Sequence, residues 1–80
     1  MKTKYVVLQM GSIEVPIVFA ELLKHADVAA QMGGVPISAG FCYIADDQFV
    51  CYGESTSLNI TSREKDSKLL TRFISGNDYD

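Results

Sequence analysis

Phe41-Cys42-Tyr43-Ile44-Ala45-Asp46-Asp47-Gln48-Phe49-Val50-Cys51-Tyr52 is the stretch on which the fold turns. Aromatic and β-branched residues flank a short polar break, which reads as a β-hairpin within Val35 to Tyr52. With Asp46-Asp47 as the tip, Ile44 faces Phe49, Tyr43 faces Val50 and Cys42 faces Cys51, because each pair must keep the same sum. Side chains alternate along a strand. One face of the ribbon therefore carries Cys42, Ile44, Phe49 and Cys51, and the other carries Phe41, Tyr43, Val50 and Tyr52. Near the turn neither face is polar, so both must be covered.

Working back toward the N-terminus, Lys4 to Phe19 reads as a first hairpin around Gly11-Ser12, a dipeptide suited to a type II′ turn. A two-residue loop pairs Met10 with Ile13, Leu8 with Val15 and Val6 with Ile17, leaving Gln9 and Glu14 on the opposite face. Pro16 has no N–H for a ladder bond, which places its strand at a sheet edge. Glu21 to Met32 follows as a helix, with Leu22, Leu23, Ala26, Ala29 and Ala30 at helical spacing and Gly33-Gly34 as the stop. Val18-Phe19-Ala20 fits either the end of the strand or the start of that helix.

Beyond the second hairpin, Ser55 to Ile60 suggests one more short strand, with Leu58 and Ile60 alternating against Ser57 and Asn59. Thr61-Ser62-Arg63-Glu64 matches a capping box, and the helix after it offers Leu69, Leu70, Phe73 and Ile74 as a buried stripe. Gly76 ends it. The expectation is one α+β domain over residues 1–76, an antiparallel sheet of four to five strands (two β-hairpins) with two helices in the order ββαββ(β)α. Residues 77–80 form an acidic tail expected to be disordered.

Composition narrows the function classes. The chain has 80 residues, 48% of them hydrophobic and 21% charged, with a net charge of −3. A chain this short buries only about 60 to 65% of its unfolded surface, so a disulfide, a metal or a partner subunit would be a useful supplement. One His and two Cys nine residues apart supply no tetrahedral metal site. No cofactor is expected. The N-terminal apolar run is too short and too interrupted for a signal peptide or a membrane span, so a cytoplasmic location is expected. No basic stripe suggests nucleic acid.

The supplement left is a partner. With both helices on one sheet face, the face bearing Phe41, Tyr43, Val50 and Tyr52 would be left to water, an aromatic patch unlike the scattered apolar residues of an ordinary surface. Burying two Tyr and a Phe, at roughly 150 to 250 Å² each, would recover several kcal/mol at about 25 cal/mol per Å². Self-association about a two-fold axis is the expected solution, with a homodimer interface at these four residues. Two alternatives stand beside it: a strongly twisted sheet with one helix on each face, and a hetero-partner.

Chemistry-bearing residues are few. Cys42 and Cys51 fall at a non-hydrogen-bonded cross-strand pair, within disulfide reach, but two small buried thiols are the preferred reading in a reducing compartment. His25 lies near a helix start without a nucleophile at triad spacing and is expected as a surface or capping histidine. Ser55, Thr56 and Ser57 are hydroxyls with no link to it. Gly33, Gly34 and Gly40 match no phosphate-loop motif and read as turn and close-packing glycines. Glu54, Arg63, Glu64 and Asp66 form a charged cluster expected to be capping groups and solvated ion pairs.

Taken together, His25-Ala26-Asp27-Val28-Ala29, Ser38-Ala39-Gly40-Phe41, Cys51-Tyr52-Gly53-Glu54-Ser55 and Ser62-Arg63-Glu64-Lys65-Asp66-Ser67-Lys68-Leu69-Leu70 resemble a group of small uncharacterised proteins encoded by tailed phages and prophages of proteobacteria. The resemblance spans most of Lys4 to Ile74. It implies a phage or bacterial origin and an accessory role, with inhibition of a host defence protein as the leading form of binding. The expected function is thus a non-enzymatic homodimeric binding module with a host protein as second partner. The alternative is a small-ligand binder or sponge with a pocket at the subunit interface near Tyr43, Tyr52 and Arg63.

Overall fold

Two β-hairpins are spliced into one antiparallel sheet, with each hairpin's first strand at the centre. The computed structural model describes residues 2–75. Its elements are β1 (Thr3–Met10), β2 (Ile13–Ala20), α1 (His25–Met32), β3 (Val35–Ala45), β4 (Gln48–Tyr52), β5 (Glu54–Ser55), β6 (Ile60–Thr61) and α2 (Asp66–Ser75). The main sheet runs β2-β1-β3-β4, and β5 and β6 form a separate two-stranded ribbon. This is an α+β fold in the expected order, with a second small sheet where one extra strand was expected.

Both hairpin registers agree with the pairing arithmetic. Met10 faces Ile13, Leu8 faces Val15 and Val6 faces Ile17; Cys42 faces Cys51, Tyr43 faces Val50 and Ile44 faces Phe49. Gly11 takes φ 64° at the first turn, while Asp46 and Asp47 take φ 53° and 63° at the second. Two consecutive positive φ values make that tip a type I′ turn, whose twist matches the strands. Pro16 sits on β2, an edge strand, opposite Val7.

Tyr5-Val6-Val7-Leu8 is fully buried on both sides, which explains the position of β1 inside the sheet. A central strand with no polar face demands cover above and below. Leu70 of α2 packs with Tyr5, Val7 and Cys42 on one face. On the other, Val28 and Ala29 of α1 pack with Val6, Leu8 and Ala39, helped by Leu58 and Ile60 from the ribbon. The placement of both helices on one face is therefore corrected: each face has its own helix.

Several boundaries shift for identifiable reasons. Val18 to Ala20 continue β2, and Glu21 to Lys24 form a turn, so α1 starts four residues later than expected. Lys4 Nζ donates to the Leu23 carbonyl at 2.8 Å and Leu23 N–H donates to Ala20 O at 3.1 Å, which hold this segment outside the helix. Leu22 consequently points to solvent instead of joining a buried stripe, with 90% of its surface exposed. The strand expected over Ser55 to Ile60 is split, because Ser55 Oγ accepts the Leu58 N–H at 3.2 Å and Asn59 adopts φ 58°.

At the last helix the cap lies two residues beyond the expected box, since Thr61 is taken up by pairing with Glu54. Asp66 Oδ2 accepts the Arg63 N–H at 2.9 Å, which supplies the reciprocal half of a capping box from the next available site. The buried stripe of α2 is shorter than expected: Leu69 and Leu70 pack, whereas Phe73 and Ile74 are exposed. Gly76 and the acidic tail lie outside the described residues.

Candidate functional site

The open part of the surface follows from the length of α1. Eight residues suffice to cover Val6, Leu8 and Ala39 but not the outer hairpin. On that face the alternation of β3 and β4 presents Phe41, Tyr43, Val50 and Tyr52 side by side. Tyr43 is 54% exposed and Tyr52 42%, with Phe41 and Val50 half-buried. The Tyr52 ring lies 5.8 Å from Phe41 and 5.9 Å from Tyr43, and Lys2 Nζ sits 5.0 Å above the Phe41 centroid. These contacts make a continuous aromatic ledge within hydrocarbon and cation–π range.

Beside the ledge a cleft of about 430 Å³ is lined by Lys4, Lys24, His25, Phe41, Thr56 and Ser57, with Glu54 the one carboxylate in its wall. His25 is buried here, contrary to the surface position expected for it. Its Nε2 is 2.9 Å from the Gly40 carbonyl, which can only accept, so Nε2 carries the proton. The imidazole stands edge-on to Phe19 at 5.3 Å and to Phe41 at 6.0 Å. Burial holds its pKa below the ordinary imidazole value, and nearby Lys4 pushes the same way. Gly40 is required at this crossing: a Cβ there would fall onto the Tyr52 carbonyl oxygen.

The opposite face is closed around a carboxylate. Asp66 is fully buried, and the Tyr5 hydroxyl donates to its Oδ2 at 2.6 Å while Arg63 Nε donates to Oδ1 at 2.9 Å. Arg63 Nη2 then reaches Glu14 Oε1 at 2.9 Å, tying α2 to β2. Glu14 titrates below its ordinary value, chiefly through that Arg63 hydrogen bond. Burial and the adjoining carboxylate keep the Tyr5 phenol protonated far above neutral pH. Capping groups and solvated ion pairs are expected for Glu54, Arg63, Glu64 and Asp66, and Asp66 does cap the Arg63 N–H. Arg63 and Asp66 nevertheless belong to a buried staple with Tyr5, and Glu54 faces the cleft on the other side.

Cys42 and Cys51 are free thiols directly opposite one another on the α2 face. Burial raises their pKa to about 11 for Cys42 and about 12 for Cys51, so both are neutral and weakly nucleophilic at physiological pH. Cys51 N–H donates to Ser67 Oγ and Phe49 N–H to Thr71 Oγ1, each at 2.9 Å. Those amides point away from β3, which marks both residues as members of non-hydrogen-bonded pairs. Two α2 hydroxyls thereby cap the outer edge of β4. At the other edge Pro16 offers no donor, so neither edge presents a full row for strand addition.

The structure brings Phe41, Tyr43, Val50 and Tyr52 together as one surface. It does not bring Arg63 to them within one subunit: Arg63 is bound to Glu14 and Asp66 on the α2 face. Sequence reasoning missed the Tyr5–Asp66 bond, 61 residues apart, and the cleft. Lys24-His25 and Ser55-Thr56-Ser57 were visible as polar groups, but nothing in their spacing joins them. No protein-family model matches the chain, and neither a curated protein nor a solved structure is similar to it. No described helix is long and apolar enough to cross a membrane.

Proposed function

We propose that this chain is a non-enzymatic phage or prophage accessory protein working in the host cytoplasm as a homodimeric binding module, two copies meeting through Phe41, Tyr43, Val50 and Tyr52. The aromatic ledge carries this reading. Its rings are already ordered against one another and half of the Tyr43 surface faces solvent, so a second copy can remove apolar area from water with little further loss of rotamer freedom. The blunted sheet edges favour face-to-face association over strand addition.

A non-catalytic role is supported by how the reactive groups are used. The thiols are neutral, His25 Nε2 is spent on Gly40, and Ser57 Oγ accepts the Ala26 N–H at 3.2 Å. A bound host protein would use surface left over after dimerisation.

Light scattering across a concentration series tests the dimer. The expected result is a monomer–dimer equilibrium that Tyr43→Lys shifts to monomer while its circular dichroism stays that of the parent. A parent chain that is monomeric at every concentration ends the reading.

A second reading, a small-ligand binder, is favoured by the cleft, whose Lys4 and Lys24 have no carboxylate within ion-pair distance among the described residues. A rise in melting temperature with inorganic phosphate, lost in Lys24→Glu, would support it.

A further inference from the structure

We infer that the two copies stack their β3–β4 hairpins antiparallel, about a two-fold axis lying in the plane of the ledge and perpendicular to its strands, so that the Asp46-Asp47 tip of each subunit meets the lysine end of the other. This rests on the homodimer reading and adds its geometry. The observation behind it is that the ledge is electrically polarised. At one end stand Asp46 and Asp47, both exposed, with no ion pair among the described residues. At the other end Lys2 lies over Phe41, and Lys4 and Lys24 line the adjoining cleft. Glu21, which accepts the Lys2 backbone N–H, and Glu54 reduce that positive end without reversing it.

Between the ends lie Tyr43, Val50, Phe41 and Tyr52, none of them charged. Phe41 and Asp46 are five positions apart, roughly 17 Å along an extended strand. A two-fold axis in that plane, crossing the strands near Tyr43 and Val50, would carry each charged end onto its opposite over that span. An axis along the strands would instead place four tip carboxylates together and three pairs of lysines together, a like-charge arrangement that repulsion disfavours. The apolar rings supply the attraction and the charges choose between the two orientations. Four side chains, two of them partly covered, fall below the roughly 800 Å² per partner of a standard interface, so the dimer should be weak.

The asparagine variant Asp46→Asn with Asp47→Asn keeps the turn, since asparagine tolerates the positive φ at both positions. Sedimentation equilibrium on the full chain is measured for four proteins: the parent, the asparagine pair, Lys2→Glu, and all three substitutions together. Lys2→Glu should weaken the dimer about tenfold at low salt, and the asparagine pair added to it should restore most of that loss, because the new carboxylate then meets no carboxylate. As a geometric check, Lys2→Cys and Asp46→Cys chains are mixed under mild oxidation. Antiparallel stacking predicts disulfide cross-links between the two unlike chains in excess of links between like chains. Dimer constants equal in all four proteins, or like-chain links in excess, overturn the antiparallel arrangement while leaving the dimer standing. A parent that never dimerises removes the homodimer reading itself.

Discussion

The two faces of the β3–β4 hairpin carry equally apolar side chains, yet α2 covers the base of one, leaving Ile44 near the tip exposed, while the other is open along its length. On the α2 face Cys42, Cys51 and Phe49 lie under Leu69 and Leu70, and the helix also caps the strand edge with Ser67 and Thr71. On the α1 face Tyr43 and Tyr52 have no helix over them. The difference comes from helix placement, not from residue type: α2 runs over β4, whereas α1 is short and stays over β1 and β3. Apolar composition alone does not distinguish core from interface; the reach of the covering element does.

The largest test of that contrast is a pair of truncations. Leu70→Ala, at a fully buried position, should cost about 3 kcal/mol, within the usual 2 to 5 for a core leucine. Tyr52→Ala should cost less than about 1 kcal/mol in monomer stability. Urea denaturation at a concentration where the monomer dominates gives both numbers. Equal losses would mean that the ledge is part of the subunit's own core.

Next in size is the staple beneath α2. Tyr5→Phe removes one of the donors to buried Asp66 and should cost about 1 to 2 kcal/mol, read from the shift of the same urea midpoint. No measurable loss would show that Asp66 finds a replacement donor. Smaller again is the edge cap: Ser67→Ala should lower stability by about 1 kcal/mol and speed hydrogen exchange at the Cys51 amide by more than at the amides of β1. Uniform acceleration across the sheet would instead mean that the hydroxyl acts on global stability alone.

The last prediction concerns pH and sharpens the cleft side. Burial holds the folded-state pKa of His25 below its unfolded value, so over that interval the unfolded chain binds more protons than the folded one. Stability should therefore decline as pH falls from the unfolded value of about 6.5 toward the folded one, then cease to change on this account. His25→Gln should flatten that segment of the curve. Glu14, depressed by Arg63, contributes in a separate window: its stabilisation is present above the ordinary carboxylate range and is lost only as pH falls through its lower folded value. A curve already flat between pH 5 and 7 in the parent chain would contradict the burial of His25.

Much of the architecture is local, which is why it could be read from sequence. Turn residues and period-two alternation are properties of neighbouring positions, so Gly11-Ser12 and Asp46-Asp47 specify two registers without reference to the rest of the chain. They also determine that Phe41, Tyr43, Val50 and Tyr52 share a face. Helix ends were less legible: Thr61 was drawn into β6 and Glu21 to Lys24 were held as a turn by Lys4, and both effects come from groups distant in sequence.

What the sequence by itself determined is the pair of ribbons and the absence of a polar side on the second. Tertiary structure alone decided that the helices part to opposite faces, that His25 is buried against Gly40 and that Asp66 is stapled to Tyr5 across 61 residues. The physical reason is range. Backbone conformation and alternation depend on adjacent residues, whereas burial and charge pairing depend on which surfaces meet once the strands are ordered β2-β1-β3-β4.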